Sequence, residues 1–405
     1  MSGRAWQSVR LGDYCSKIGS GSTPRGGESV YQESGVSLIR SQNVYNGLFS
    51  ADGLAYLDDE HADQLKGVTV EAGDVLLNIT GDSVARSCRA PDEVLPARVN
   101  QHVAIIRPRP AEFDSRFVSY FFISPFMQDT MLSLAGSGGT RKALTKEMIE
   151  RFEVPRPPRP IQERIADILS AYDDLIANNR RRVALLEDAA RQLYREWFVR
   201  LRFPGYEHTR ITSGVPEAWE KKALGEVCEE VRDIVKPEVM EPDTPYIGLE
   251  HMPRRSISLS EWGTADQVTS SKHRFREGEI LFGKIRPYFH KVGIAFVDGV
   301  ASSDAIIIRP NAPSLRSFVL MTVSSDPFVA ATAQSMKEGS KMPRADWKQM
   351  QAFPTPLPPD GLLGSFESAI RPMVEQLKAL TLAHQKLCTA RDILLPRLLS
   401  GELAV

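Results

Sequence analysis

Two stretches of the chain carry the hydrophobic pattern of very long amphipathic helices. In the first, about residues 161–198, apolar side chains recur in two columns spaced seven residues apart. In the second, about residues 362–398, apolar positions alternate three and four residues apart. This spacing is typical of a coiled-coil seam. The seam positions include Ile165, Tyr172, Asn179, Leu186 and Leu193 in the first stretch and Leu377, His384, Leu387 and Leu394 in the second.

The similar lengths of the two stretches favour packing of the helices against each other, with packing of each on its own domain as the alternative. At about 1.5 Å per residue, the first helix is ~55 Å long. Asn179 at a seam position is suited to fixing the register, whereas we interpret His384 as a satisfied seam residue and not as a ligand. Pro372 lies inside the second stretch, so we expect it to bend that helix or delay its start.

The remaining sequence consists of short elements that occur twice in the same order. The stretch AWQSVRLGDYC at 5–15 returns as AWEKKALGEVC at 218–228. EAGDVLLNITGD at 71–82 matches REGEILFGKIRP at 276–287, and VAIIRPRP at 103–110 matches AIIIRPNA at 305–312. A chance echo would not stay collinear, so the pattern predicts a tandem repeat. The runs 75–79, 103–107, 280–282 and 305–309 are predicted strands.

A proline-rich segment ends each repeat, at 154–160 and 353–360, and leads into a long helix. We therefore predict an α/β fold in which two similar units alternate with two long antiparallel helices in pseudo-two-fold symmetry. The predicted boundaries are 1–157 for the first unit, 158–203 for the first helix, 204–357 for the second unit and 358–405 for the second helix. Residues 204–218 are the predicted entry linker of the second unit.

The composition is that of an ordinary globular protein. The chain has 405 residues, 42% of them hydrophobic and 25% charged, and a net charge of -1, which argues against a uniformly basic nucleic-acid binder but allows local basic patches. Its four cysteines form no C-x-x-C pair and show no metal-ligand spacing. No signal peptide or membrane-spanning run is predicted, so we expect a cytoplasmic protein. The sequence also lacks the common nucleotide-binding and hydrolase motifs, which favours a binding or scaffold protein over an enzyme.

Local patterns favour contact with DNA. The stretch 272–291 is rich in Lys and Arg with aromatic residues between them, and each unit has a Gly-hydroxyl-basic loop near its end. Asn and Gln can pair with an adenine edge, although turn formation is the alternative for Asn100 and Gln101. The candidates in the first unit are Arg40, Gln42, Asn43, Asn78, Thr80, Asn100, Gln101, Thr140, Arg141 and Lys142. Those in the second are Lys284, Arg286, Tyr288, Lys291, Ser303, Ser340, Lys341 and Arg344.

These features together resemble the specificity subunit of type I restriction–modification systems. The resemblance is carried by the order of AGDVLL and EGEILFGKIRP, NQHVAIIRP and SDAIIIRP, GTRKAL and GSKMPR, the helix end REWFVRLRFPG and the closing ILLPRLLSGEL. It covers essentially the whole chain. The first proline exit lacks the Leu-Pro-Pro-Leu run that is common in the family, although IQER follows it in the expected place.

The resemblance implies two target-recognition domains with curved sheets, each reading one half of a split, asymmetric site on double-stranded DNA. It implies two methyltransferase subunits docked on the helices at the seam positions named above, and restriction–translocase subunits. S-adenosylmethionine and adenine-N6 methylation would belong to those partners, so this chain would hold no cofactor and no metal. The alternatives are a scaffold that joins two identical protein partners, or an enzyme with an unrecognised site.

Overall fold

The computed structural model describes residues 6–136, 142–212, 214–334 and 343–405. The chain forms two compact units: Met1–Leu175 with Leu387–Val405, and Ile176–Lys386. Each unit therefore contains a segment of both long helices. The boundaries expected from sequence, which treat the helices as separate domains, remain a prediction.

The described part of the first unit contains short strands, four short α-helices and part of each long helix. Its strands are β1 (Ser8–Arg10), β2 (Cys15–Ser20), β3 (Val36–Ile39), β4 (Val44–Tyr45), β5 (Leu48–Phe49), β6 (Ala55–Leu57), β7 (Thr69–Val70), β8 (Val75–Asn78), β9 (Ser87–Arg89), β10 (Ala97–Val99), β11 (Val103–Pro108) and β12 (Glu153–Pro155). Its short helices are α1 (Asp59–Gln64), α2 (Ser115–Ile123), α3 (Pro125–Gly136) and α4 (Lys146–Glu150). The long helix α5 (Arg159–Tyr194) follows and ends in a π-helical turn, Arg195–Val199.

The second unit repeats this plan. Its strands are β13 (Ile211–Thr212), β14 (Val215–Pro216), β15 (Glu220–Ala223), β16 (Cys228–Val231), β17 (Ile234–Val235), β18 (Pro245–Ile247), β19 (Gly263–Thr264), β20 (Lys272–Phe275), β21 (Ile280–Gly283), β22 (Val292–Ile294), β23 (Gly299–Ala301), β24 (Ala305–Pro310) and β25 (Pro354–Leu357). Its short helices are α6 (Arg316–Val323), α7 (Asp326–Gln334) and α8 (Trp347–Met350), and the second long helix is α9 (Asp360–Leu399).

The strand order confirms the tandem repeat. One sheet runs β2-β11-β8-β9 in the first unit and β16-β24-β21-β22 in the second. The other runs β6-β3-β10-β7 in the first unit and β19-β18-β23-β20-β17 in the second. In both units the central pair of this second sheet, β3 with β10 and β18 with β23, is parallel. All four strands predicted from sequence are present as β8, β11, β21 and β24.

An equivalent ion pair occurs in both units. It joins β11 to the turn before β8 in the first unit and β24 to the turn before β21 in the second. Arg107 Nε donates to Asp74 Oδ1 at 2.7 Å in the first unit, and Arg309 Nε donates to Glu279 Oε1 at 2.6 Å in the second. The pKa of the Arg107 guanidinium is raised, mainly because of its hydrogen bonds to Asp74. Because both carboxylates are buried, each pair fixes the turn that precedes the central strand.

The paired Ala-Trp…Leu-Gly…Cys motifs also occupy equivalent places. Leu11 and Leu224 are fully buried, and their amides donate at 2.9 Å to the carbonyls of Phe152 and Phe353. Each hydrogen bond ties the start of a unit to the segment that leads into its long helix. Trp219 is buried, whereas Trp6 is only partly covered.

The two long helices run antiparallel within each unit. In the first unit, Ile165 and Leu169 of α5 share a core cluster with Leu395 and Leu399 of α9. Arg391 of α9 donates to Asp173 of α5 at 2.9 Å, so residue numbers rise along one helix as they fall along the other. The same reversal holds in the second unit.

In the second unit, the ring of Phe198, in the π-turn that follows α5, lies 4.7 Å from Phe366 near the start of α9, and Ala190 and Leu377 belong to the same core. The helix α9 runs unbroken through Pro372 from Asp360, so the expected delayed start is wrong. None of the helices among the described residues is long and apolar enough to span a membrane.

Candidate nucleic-acid interface

Four loops come together in each unit, and they contain most of the residues that the sequence singled out. We name them loop A (40–43 and 248–251), loop B (79–86 and 284–291), loop C (100–102 and 302–304) and loop D (142–144 and 343–345), giving the first unit and then the second. Loop A follows β3 or β18, loop B follows β8 or β21, and loop C precedes β11 or β24.

The same backbone hydrogen bonds assemble the loops in both units. In the first unit they are Asn100 N to Ile39 O at 3.0 Å, Ile79 N to His102 O at 3.0 Å, Leu144 N to Ile79 O at 2.8 Å and Gly81 N to Lys142 O at 3.1 Å. In the second unit they are Ser302 N to Ile247 O at 2.9 Å, Lys284 N to Asp304 O at 2.7 Å, Ala345 N to Lys284 O at 2.8 Å and Arg286 N to Pro343 O at 3.0 Å. Position 79 therefore corresponds to 284, 81 to 286 and 102 to 304.

Loop B has the same unusual backbone in both units. Its third residue has a positive φ, 74° at Gly81 and 49° at Arg286, and so does its seventh, 74° at Ala85 and 56° at His290. Glycine adopts this left-handed conformation readily, whereas other L-residues pay roughly 1–2 kcal/mol. The second unit thus holds an exposed arginine where glycine would be easier. Such strain concentrates at functional sites.

Loop A is tied to loop B by different side chains in the two units. Asn78, at the end of β8, donates through Nδ2 to the carbonyl of Ser41 at 2.8 Å. In the second unit the corresponding carbonyl, that of Leu249, accepts from Lys291 Nζ. Burial, reinforced by nearby Arg254, lowers the pKa of the Lys291 ammonium group. Lys291, half-buried and engaged with backbone, is better suited to holding the loop than to reading DNA.

Three asparagines predicted to read bases have a structural role instead. Asn43 is fully buried and bonds to Arg40 N at 3.0 Å and Ser50 O at 2.9 Å. Asn78 is fully buried as well. Asn100 is also buried, and its Oδ1 caps His102 N at 3.1 Å. Both ends of the Asn43 amide, Nδ2 of Asn78 and Oδ1 of Asn100 bond to backbone groups, so these buried side chains shape the loops.

The exposed face of the first unit is rich in amides. Gln42 and Gln101 are exposed, and Gln101 Nε2 lies 2.9 Å from His102 Nε2. Thr80 Oγ1 lies 2.6 Å from the other ring nitrogen of His102. Lys142 is exposed in loop D. Arg40 is half-buried, and its guanidinium donates to Gly53 O at 2.6 Å, so it links loop A to the backbone at Gly53.

The exposed face of the second unit is more cationic. Tyr288 is 53% exposed at the tip of loop B, next to the exposed Arg286. Lys284 Nζ donates to Ser303 O at 2.9 Å, joining loops B and C. Arg344 is exposed and lies 3.4 Å from Asp304. Cations beside a flat ring are suited to phosphates and base edges.

Some predicted residues lie elsewhere. Thr140, Arg141, Ser340 and Lys341 fall outside the described residues. Among the seam positions, Ile165 and Leu377 are fully buried in the cores of their units, so they cannot be contact sites for a separate subunit. Asn179 is buried, and the remaining positions are half-buried: Tyr172, Leu186, Leu193, His384, Leu387 and Leu394.

Sequence reasoning missed three residues of the interface. Arg254 stacks on the loop B ring of Phe289 at 4.1 Å, and Arg86 stacks on the exposed Tyr45 at 4.9 Å. Glu250 is exposed in loop A of the second unit. The available signal was the spacing of buried residues: Ile39 and Val44 flank the first loop A as Ile247 and Met252 flank the second.

The described residues contain no group of His, Cys, Asp or Glu that could hold a metal ion. The loops offer exposed hydrogen-bonding groups, cations and the aromatic rings of Tyr288 and Phe289 on a backbone held by hydrogen bonds. This arrangement is suited to binding a polyanion with specific edges.

Comparison with known proteins identifies relatives. Residues 3–188 match the family model of the type I restriction modification DNA specificity domain. The MjaIX specificity subunit of Methanocaldococcus jannaschii, a type I restriction enzyme, is 22% identical over 323 residues, covering 76% of this chain and 74% of that protein. The EcoDI specificity subunit of Escherichia coli is 29% identical over 147 residues, 36% of this chain and 32% of its own.

Among solved structures, the S subunit of a type I restriction–modification system from M. genitalium has the same fold. It aligns with a TM-score of 0.63 and 15% identity, covering 97% of this chain and 96% of that chain.

Proposed function

We propose that the chain is a specificity subunit of the type I restriction–modification family, and that its two loop clusters each read one half of a bipartite, asymmetric DNA site. The observation that carries the proposal is the same four-loop assembly in both units, with different exposed side chains on it. The same loop backbone with different exposed side chains is what two half-sites of different sequence would require.

In this proposal the chain performs no catalysis. Two methyltransferase subunits dock on the long helices and, with S-adenosylmethionine, methylate adenine N6 within the bound site, and restriction–translocase subunits join the same complex. The chain holds no cofactor of its own. An assembly that acts on chromosomal and invading DNA works in the cytoplasm.

The test is a binding selection. The chain is assembled with the methyltransferase subunits of its host and offered DNA with two randomised segments separated by variable spacers. We expect one enriched sequence with two specified parts and an unspecified spacer. An assembled complex that enriches no sequence contradicts the proposal and favours a scaffold. Methyl transfer by the chain alone would show instead that it is an enzyme.

A loop B variant then assigns the half-sites. Lys284→Ala with Arg286→Gly removes two cations of the second unit, and glycine suits the left-handed backbone at position 286 because Gly81 holds it in the first unit. We expect about tenfold or greater weakening and relaxed specificity in one half-site only. The control Lys221→Ala with Arg371→Ala removes two exposed cations from β15 and α9 and leaves specificity intact. Equal loss of specificity in both half-sites would contradict the assignment.

A further inference from the structure

Resting on the proposed function, we propose that Glu250 is a base-reading residue of the second unit, which accepts a hydrogen bond from the exocyclic amino group of cytosine or adenine. Its counterpart in the first unit is Gln42. The two units would then differ at one equivalent position, with a carboxylate in the second unit and, in the first, an exposed amide whose Nε2 donates to Gly53 O at 3.2 Å.

The equivalence of positions 42 and 250 follows from the backbone. Ile39 and Ile247 end the matched strands β3 and β18, and their carbonyls accept from loop C at 3.0 and 2.9 Å. The next residue is capped in each unit by a side chain three positions on. Arg40 N donates to Asn43 Oδ1 at 3.0 Å, and Gly248 N donates to His251 Nδ1 at 3.0 Å. Each loop A then forms one 3₁₀ turn, 41–43 and 249–251.

Glu250 is exposed and forms no ion pair with a Lys or Arg of the described residues within 4.0 Å. Its side chain is 64% exposed, and within the described chain its closest basic atom is His251 Nδ1 at 3.9 Å. That nitrogen accepts the hydrogen bond of Gly248 N, so it carries no proton to donate to the carboxylate. The neighbouring ammonium of Lys291 is directed to the carbonyl of Leu249. The acceptor capacity of Glu250 is therefore available to a ligand.

The position of this carboxylate decides what it can bind. It lies in loop A, beside a loop B that carries Lys284 and Arg286, where a DNA backbone would bring negative charge. A carboxylate repels phosphates. Its contact with DNA is therefore favourable only where it accepts a hydrogen bond from a donor on a base. In the major groove the donors are the amino groups of cytosine N4 and adenine N6. Glutamine, with both a donor and an acceptor, pairs best with adenine.

The test is a double-mutant cycle on the assembled complex, using the site obtained by selection. Each cytosine of the second half-site is replaced in turn by 2-pyrimidinone, and each adenine by purine, because these analogues lack only the amino group. We expect one substitution to weaken binding of the wild-type complex about tenfold and to have no effect on Glu250→Ala. The base that is sensitive, cytosine or adenine, is then the one whose amino group Glu250 contacts.

Two further variants sharpen the result. Glu250→Gln should move the base preference at that single position towards adenine. Glu261→Gln removes the same charge next to Ser260, whose carbonyl is bonded to Gln385 of α9, and should preserve the wild-type preference. Overall affinity is not the readout, because removing a carboxylate also relieves repulsion of phosphates.

The outcomes separate the inference from its premise. If the complex discriminates bases but every amino deletion affects wild type and Glu250→Ala equally, the role of Glu250 is refuted and the proposed function stands. If the complex shows no sequence preference at all, both are refuted.

Discussion

Glu187 connects the long helix α5 to loop B of the second unit, and its replacement by alanine tests that connection. The side chain is buried, and its Oε1 accepts from Ser256 Oγ at 2.7 Å and from Ser258 N at 3.0 Å. Arg191, one turn along the helix, pairs with Oε2 at 3.1 Å and donates to Arg255 O at 2.6 Å. Arg255 N in turn donates to His290 O in loop B at 2.9 Å.

The magnitude of the effect follows from which groups lose a partner. In Glu187→Ala the buried Ser258 amide loses its hydrogen bond to the carboxylate and keeps only the longer one to Ser256 Oγ at 3.3 Å, at a cost of about 1–3 kcal/mol. The hydroxyl of Ser256 and the partly exposed Arg191 add about 1 kcal/mol together, because water reaches them. The higher helix propensity of alanine offsets less than about 0.5 kcal/mol of this loss in stability. We expect a net loss of about 2–4 kcal/mol in the free energy of local opening.

Hydrogen exchange is the suitable assay, since two compact units need not unfold in one transition. Peptides spanning 255–260 should exchange about 30-fold faster or more in Glu187→Ala, while peptides of the first unit are unchanged. Glu187→Gln is the matched control: its amide oxygen still accepts from Ser258, so the loss should stay near 1 kcal/mol. Unchanged protection of 255–260 in Glu187→Ala would refute the connection.

The remaining predictions concern groups outside the loops. Tyr120 donates to Asp173 Oδ2 at 2.6 Å, so Tyr120→Phe should destabilise the first unit by about 1–2 kcal/mol in denaturant titrations while preserving packing; an unchanged midpoint would contradict this. Burial raises the pKa of the Cys15, Cys88 and Cys228 thiols to about 12, so at pH 8 they should react with iodoacetamide far more slowly in the folded than in the unfolded chain. Mass spectrometry of the alkylated peptides measures this, and equal rates in both states would contradict the burial.

The elements with a strong period were predictable from sequence. The seam columns gave both long helices, because a seven-residue pattern kept over five heptads has no other common solution. The predicted start of α9, at about residue 362, lies close to the observed Asp360, and only the delayed start that Pro372 suggested is wrong. A helix tolerates proline where neighbouring packing compensates for the lost hydrogen bond, and the adjacent Ile370 and Met373 pack in the core of the second unit.

The interface was predictable only in part. Exposed Gln42, Lys142, Arg286 and Tyr288 were found by residue type, whereas Asn43 and Asn78 were misassigned by the same criterion. A polar side chain does not reveal whether its partner is DNA or a backbone group of the protein, which is 7 residues away for Asn43 and 37 residues away for Asn78. Only the paired strands bring loops A, B and C together, and strand pairing is not encoded in local composition.

Divergence between the repeats is therefore an incomplete guide to DNA reading. Asn78 and Lys291 stand at different positions of the repeat, yet each donates to the corresponding carbonyl of loop A, so different side chains make the same connection in the two units. Gln42 and Glu250 also differ. Both are exposed, and both lie in a loop A whose backbone is held by the same hydrogen bonds in each unit. The positions to exchange between family members are thus those that combine divergence with exposure and an equivalent backbone. By this criterion positions 42 and 250, and 81 and 286, come before any buried asparagine.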